Sequence, residues 1–185
     1  MAKRRVAVLI GSLRKEAFSR RLAEAMRCLQ PASLELEFVD IGGLALYNAD
    51  LETESPPPAW SEFRKKVAAC DAVLFVSPEY NRGMPASIKN AIDVASRPYG
   101  KAVMAGKPCA VATTSPGALG GFGANHMIRQ CVMFMDMPMM QQPELYLGQV
   151  DKAIEPGGKV ASDATRQLIE KFLARFADWI ERNAG

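Results

Sequence analysis

A single histidine, His126, and four widely separated cysteines, Cys28, Cys70, Cys109 and Cys131, leave this chain poor in residues that ligate metals or attack substrates. With no Cys-x-x-Cys pair and no Cys/His cluster, neither a zinc centre nor a thiol redox pair is expected, and the thiols read as reduced, buried or half-buried groups. No uninterrupted apolar run approaches the length of a membrane span. Met1 to Arg5 is too short, and too quickly followed by an apolar strand, to read as a signal peptide, so the expected compartment is the cytoplasm, with no membrane partner. Lys and Arg form no long cluster and the formal net charge is only +3, which argues against a nucleic-acid partner. Nothing resembles a linker, a repeat or a low-complexity tract, so residues 1–185 read as one domain.

What the chain does have begins at Val6. Val6 to Ile10 is a continuous run rich in branched residues, the pattern of a central parallel strand covered on both faces. It stops at Gly11, which lets the backbone turn, and is followed by Ser12, Arg14 and Ser19. Ser19 is placed to cap a helix carrying Leu22, Ala25, Met26 and Leu29. A strand, a polar turn and a helix N-terminus make an anion site, because unpaired amides and the positive end of the helix dipole face the loop. Arg14 adds a charged donor. The same residues would also serve merely to turn the chain and cap the helix. A Walker loop needs a second glycine followed by Lys and Ser or Thr, and a dinucleotide fingerprint needs three glycines; with Gly11 alone here, a single phosphate monoester fits better.

Leu34 to Asp40 reads as a second strand, and Ile41 to Pro58 as a surface connection whose Tyr47 suggests a place near the site. Trp60, Phe63, Val67 and Cys70 recur at helical spacing, with Pro57 or Pro58 in the first turn. Ala72 to Val76 is a third strand, running into the rigid stretch Ser77 to Pro85. A helix from Ala86 to near Arg97, a strand from Pro108 to Ala112, and a glycine-rich loop from Ser115 to Gly123 follow. A helix over Asn125 to Phe134, a fifth strand within Met139 to Leu147, and a long amphipathic helix from Ala161 to Ile180 complete the chain. Alternating strands and helices predict a doubly wound α/β fold with a five-stranded parallel sheet in the order 2-1-3-4-5. Its first, third and fourth strand-to-helix loops converge beyond the carboxyl ends of the strands. A planar ring with a phosphate tail, such as flavin mononucleotide (FMN), would engage all three.

Three motifs, GSLRKEAFSRRLA from Gly11, SPEYNRGMPASIKNAID from Ser77 and TSPGALGG from Thr114, resemble the NADPH-dependent FMN reductase family, and its chromate and quinone reductases in particular. The resemblance implies a flavodoxin-like fold with FMN as cofactor and NADPH or NADH as electron donor. The expected acceptors are quinones, flavins or oxidised metal ions. It carries phosphate contacts to Ser12, Arg14 and Ser19 with the Ala17 and Phe18 amides. It carries ring contacts to Pro78, Glu79, Tyr80, Asn81, Ser115 and Gly117. Relatives often have Ser at Ala17, Asn at Ser19 and Trp at Val94, so one phosphate contact differs here. The chemistry belongs to FMN and no acid or base side chain is required. His126 is accordingly expected on a helix surface or interface. Tyr80 with the cations Arg82, Arg97 and Lys101 are candidates for the substrate face. Members are homodimers or homotetramers, which makes Arg129 and Glu144 candidates for an intersubunit ion pair. The methionines from Met127 to Met140 read equally as core or subunit contact. The alternative is an electron carrier of the same fold without turnover of its own, against which the net basic charge argues.

Overall fold

The apolar run that opens the chain forms β1, Arg4–Ile10, an inner strand of a parallel sheet, in a computed structural model describing residues 3–183. β2 (Leu34–Val39) pairs on one side of it and β3 (Ala72–Pro78) on the other, followed by β4 (Cys109–Thr114) and β5 (Leu145–Leu147). The order is β2-β1-β3-β4-β5, as predicted. Between and after the strands lie α1 (Phe18–Cys28), α2 (Pro58–Ala68), α3 (Ala86–Ala95), α4 (Phe122–Val132), the single turn α5 (Val150–Ala153) and α6 (Asp163–Asn183).

Alternate residues of β1 serve two separate cores. Val6, Val8 and Ile10 join Leu22 and Met26 of α1 and Phe172, Phe176 and Ile180 of α6. Ala7 and Leu9 join Trp60 and Phe63 of α2, Ile88 of α3 and Ile128 of α4 on the opposite face. Helices on both faces explain why the strand cannot alternate with polar residues. Each fully buried large apolar side chain contributes about 1.5–3 kcal/mol. This winding puts the point where the chain direction reverses between the carboxyl ends of β1 and β3.

Several boundaries differ from expectation, each for a local reason. β3 and β4 run two residues further, through Ser77 and Pro78 paired with Thr113 and Thr114, so the third loop starts from a fixed platform. The fifth strand is only Leu145–Leu147. Upstream, the Cys109 N–H donates to Pro138 O and the Met140 N–H to Cys109 O, both at 2.9 Å, before the chain leaves the sheet. Pro143, with no N–H, cannot rejoin it. α4 begins at Phe122 rather than Asn125 and tightens into a 3-10 turn over Met133–Met135. α6 begins at Asp163, where the Ser162 hydroxyl accepts the Thr165 N–H at 3.2 Å as a cap. Cys28 is exposed, whereas Cys70 and Cys109 are buried and Cys131 is half-buried. Tyr47 is not turned to a site but stacks on Trp60, ring centroids 5.2 Å apart.

Candidate functional site

The first loop leaves β1 through a close approach that only glycine permits. A Cβ on Gly11 would meet Ser77 Oγ at 2.6 Å and Ile88 Cγ1 at 3.0 Å. The Gly11 N–H donates to Val76 O at 2.9 Å, and its carbonyl accepts from Ser87 Oγ at 2.6 Å. Ser12 is buried and Arg14 exposed. No hydrogen bond or ion pair engages the Arg14 guanidinium among the described residues; only its backbone N–H contacts Ser12 Oγ, at 3.4 Å. Ser19 is not the cap expected from the sequence: the N-cap is Ala17, which has no oxygen to offer. Ser19 is the second residue of α1, fully buried, and its hydroxyl finds no partner. An uncapped helix N-terminus beside an orphaned buried hydroxyl is a site built for an acceptor anion.

The third loop is a tight turn. Tyr80 and Gly83 exchange backbone hydrogen bonds at 2.9 and 2.8 Å, with Asn81 and Arg82 at φ 48° and 67°. Left-handed backbone at an arginine is strained and persists only where its surroundings impose it. Tyr80 is 52% exposed, an apolar ring standing at the mouth. Between this turn and the first loop lies a cavity of about 550 Å³ lined by Ser12, Leu13, Arg14, Tyr80, Asn81 and Pro85.

The fourth loop is braced on the neighbouring strand. The Ser115 N–H donates to Leu147 O at 3.1 Å and the Ser115 hydroxyl to Gly117 O at 3.0 Å, while Gly117 O also accepts the Gln149 N–H. Gly120 has φ +60°, and a Cβ there would meet the Tyr146 carbonyl carbon at 2.5 Å. The third and fourth loops touch directly: Glu79 Oε2 accepts the Ala124 N–H at 3.1 Å. The Glu79 carboxylate therefore faces α4, and of the expected ring contacts Tyr80 and Asn81 line the cavity while Pro78, Glu79, Ser115 and Gly117 are not among its lining residues.

Two of the expected cations lie elsewhere. α3 starts at the carboxyl edge of the sheet and runs back for ten residues, about 15 Å, so Arg97 and Lys101 sit at the opposite edge of the sheet. Arg97 instead lies over the Phe134 ring, 5.9 Å from its centroid, beside a groove between α3 and α4. Arg82 belongs to the turn whose Tyr80 and Asn81 line the cavity, without lining it itself. Arg129 is likewise committed within the chain: its Nε donates to Asn125 Oδ1 at 2.7 Å and its NH1 to Met140 O at 3.1 Å. Glu144 is half-buried near Tyr146, whose hydroxyl burial and Glu144 together push up to about 12. His126 is exposed on α4, 3.3 Å from the Tyr146 hydroxyl. Of the methionines, Met135, Met137 and Met140 are buried, while Met127 and Met133 are exposed.

No group of three potential metal ligands occurs among the described residues. Burial pushes the Cys109 thiol up to about 12 and raises those of Cys70 and Cys131, so none of these three is a poised thiolate. Ser87 and Glu79 hold the loops together. Sequence reasoning did not single out Ser87, whose only signal is a hydroxyl in the first turn of the helix after the third loop.

Residues 4–152, which span all three loops, match the model of the family described as NADPH-dependent FMN reductase. The chain belongs to that family. As an NADPH-dependent FMN reductase family member it is an oxidoreductase that holds FMN and uses NAD(P)H, and the orphaned Ser19 hydroxyl, uncapped α1 and adjoining cavity fit that cofactor. It is 54% identical over 178 residues to a quinone reductase of Pseudomonas putida, covering 96% of this chain and 95% of that protein. It is 40% identical over 176 residues to a 2-hydroxy-1,4-benzoquinone reductase of a Burkholderia species, covering 95% and 96%. Among solved structures, the flavoenzyme NAD(P)H:(acceptor) oxidoreductase FerB of Paracoccus denitrificans superposes with a TM-score of 0.92 at 37% identity, covering 98% of this chain and all of that one.

Proposed function

We propose that this chain is a quinone reductase of its family, passing electrons from NADPH or NADH through bound FMN to quinones, with free flavins and oxidised metal ions such as chromate as further acceptors. The observation that carries the reading is the cavity between the first and third loops, lined by Ser12 and Arg14, together with the uncapped end of α1 and the buried, unpartnered Ser19 hydroxyl in its first turn. In this reading Ser12, Arg14, Ser19 and the Ala17 and Phe18 amides hold the phosphate. Pro78, Glu79, Tyr80 and Asn81 face the ring through backbone groups, opposite Ser115 and Gly117. FMN supplies the hydride chemistry, and the protein supplies orientation and an open face. In this reading Arg82, in the turn beside Asn81, is the cation that would meet a phosphorylated dinucleotide. The quinone assignment draws support from the two relatives named for that activity.

The reading includes self-association as a dimer or tetramer in the cytoplasm. Exposed Met133 and Phe134 at the end of α4, 73% and 68% exposed, support such a contact. Arg97 and Lys101, remote from their own crevice, would serve only a neighbouring protomer. The experiment is to mix purified protein anaerobically with NADPH and then a quinone while following flavin absorbance. Bleaching by NADPH and recovery on adding quinone is expected, and a flavin that neither nicotinamide bleaches refutes the enzyme reading.

A further inference from the structure

α4 has no cap of its own. Its N-cap is Gly121, at φ 83°, which carries no side-chain oxygen. The amide that an N-cap side chain would satisfy, that of Ala124 in the first turn, is taken by the Glu79 carboxylate from the third loop. The fit around this bond is close. A Cβ on Gly123 would lie 2.4 Å from the Arg82 carbonyl oxygen and 3.0 Å from Glu79 Oε2, so glycine is what lets the helix end sit against the turn. The turn itself holds Arg82 at φ 67°, a conformation a non-glycine residue keeps only when its surroundings impose it.

These contacts join the two loops that bracket the ring end of the site. We propose that Glu79 is a positioning residue: its carboxylate, capping α4 from outside the helix, fixes the gap between the third loop and the start of α4 and thereby the shape of the flavin-ring pocket. The carboxylate acts on the helix end and not on the flavin. The inference rests on the FMN site described above and adds a device to it.

Three variants test it: Glu79→Ala removes the strut, Glu79→Gln keeps an acceptor oxygen without the charge, and Gly123→Ala forces the contact open with Glu79 intact. Titration of each apoprotein with FMN and the visible circular dichroism of the bound flavin are read together with amide exchange of the apoproteins over residues 79–83 and 121–125. Glu79→Ala and Gly123→Ala are expected to raise the FMN Kd about fivefold or more, the factor corresponding to one capping interaction. They should also alter the flavin dichroism and speed exchange in both segments. Glu79→Gln is expected to restore all three. Unchanged exchange and dichroism in Glu79→Ala overturn the strut. A Gln variant as impaired as Ala also overturns it, because the charge would then be acting on the flavin directly. A wild-type apoprotein that takes up no FMN refutes the site reading itself, and the wild-type titration distinguishes that failure from the others.

Discussion

The Ser87 hydroxyl, on the first turn of α3, donates to the Gly11 carbonyl at the end of β1 across 2.6 Å, tying the first loop to the helix that follows the third. Both residues line the cavity between the first and third loops, and the hydroxyl is committed to the Gly11 carbonyl. Replacing Ser87 with alanine leaves the Gly11 carbonyl short of a partner, at a cost of about 1 kcal/mol. The expected outcome is a severalfold higher FMN Kd in a titration followed by flavin fluorescence quenching, with a smaller loss in Tm. A lower Tm with unaltered Kd would assign the bond to stability alone.

Arg14 has no side-chain partner among the described residues, so its guanidinium is available to the phosphate. Arg14→Ala is expected to weaken FMN binding by about 1–3 kcal/mol, the scale of a charged hydrogen bond. Riboflavin, which lacks the phosphate, should bind both forms equally, and calorimetry with the two ligands separates this from a general loosening of the site.

Asn90, buried on α3, clamps the connection after β2. Its Oδ1 accepts the Tyr47 N–H at 2.8 Å, and its Nδ2 donates to Leu44 O and Ala45 O at 3.2 and 3.0 Å. Trp60 Nε1 reaches the same Ala45 carbonyl at 3.0 Å. Asn90→Ala orphans the Tyr47 amide and weakens both carbonyls, so a loss of about 1–3 kcal/mol in urea unfolding is expected. Limited proteolysis should show earlier cleavage between Leu44 and Leu51 in the variant.

Glu37 on β2 pairs with Arg5 on β1, whose hydrogen bond and charge hold the carboxyl below its ordinary 4.5. A depressed folded-state value means that the stabilisation is fully present above the unfolded value and is lost as the pH falls through the folded one. Both side chains are a third or more exposed, so solvent screens the pair and its effect on stability is small. Glu37→Gln should lower stability slightly at neutral pH and flatten its decline below about pH 4.5, as measured by chemical denaturation at a series of pH values.

Tyr80, half exposed, lines the cavity between the first and third loops. If nicotinamide and acceptor take turns on one flavin face, double-reciprocal plots for NADPH and a quinone should be parallel, and Tyr80→Ala should lower kcat more than it lowers Tm. Intersecting plots would defeat the shared-face mechanism.

The sheet and its order were legible because a strand buried on both faces must be apolar throughout, and Val6 to Ile10 and Ala72 to Val76 satisfy that locally. Gly11 and the Ser77 to Pro85 stretch were legible for a similar reason, since tight turns and close approaches depend on a residue's own backbone freedom. Tertiary structure alone decided the rest. Whether Ser19 caps α1 or is buried inside its first turn depends on where the helix starts, and that is set by packing against the sheet. Arg97 and Lys101 follow the third loop closely in sequence but are carried to the opposite edge of the sheet by α3. Glu79 and Ala124 meet because two loops leave adjacent parallel strands at the same edge, a contact fixed by the sheet's strand order and not by either residue's neighbours in the chain.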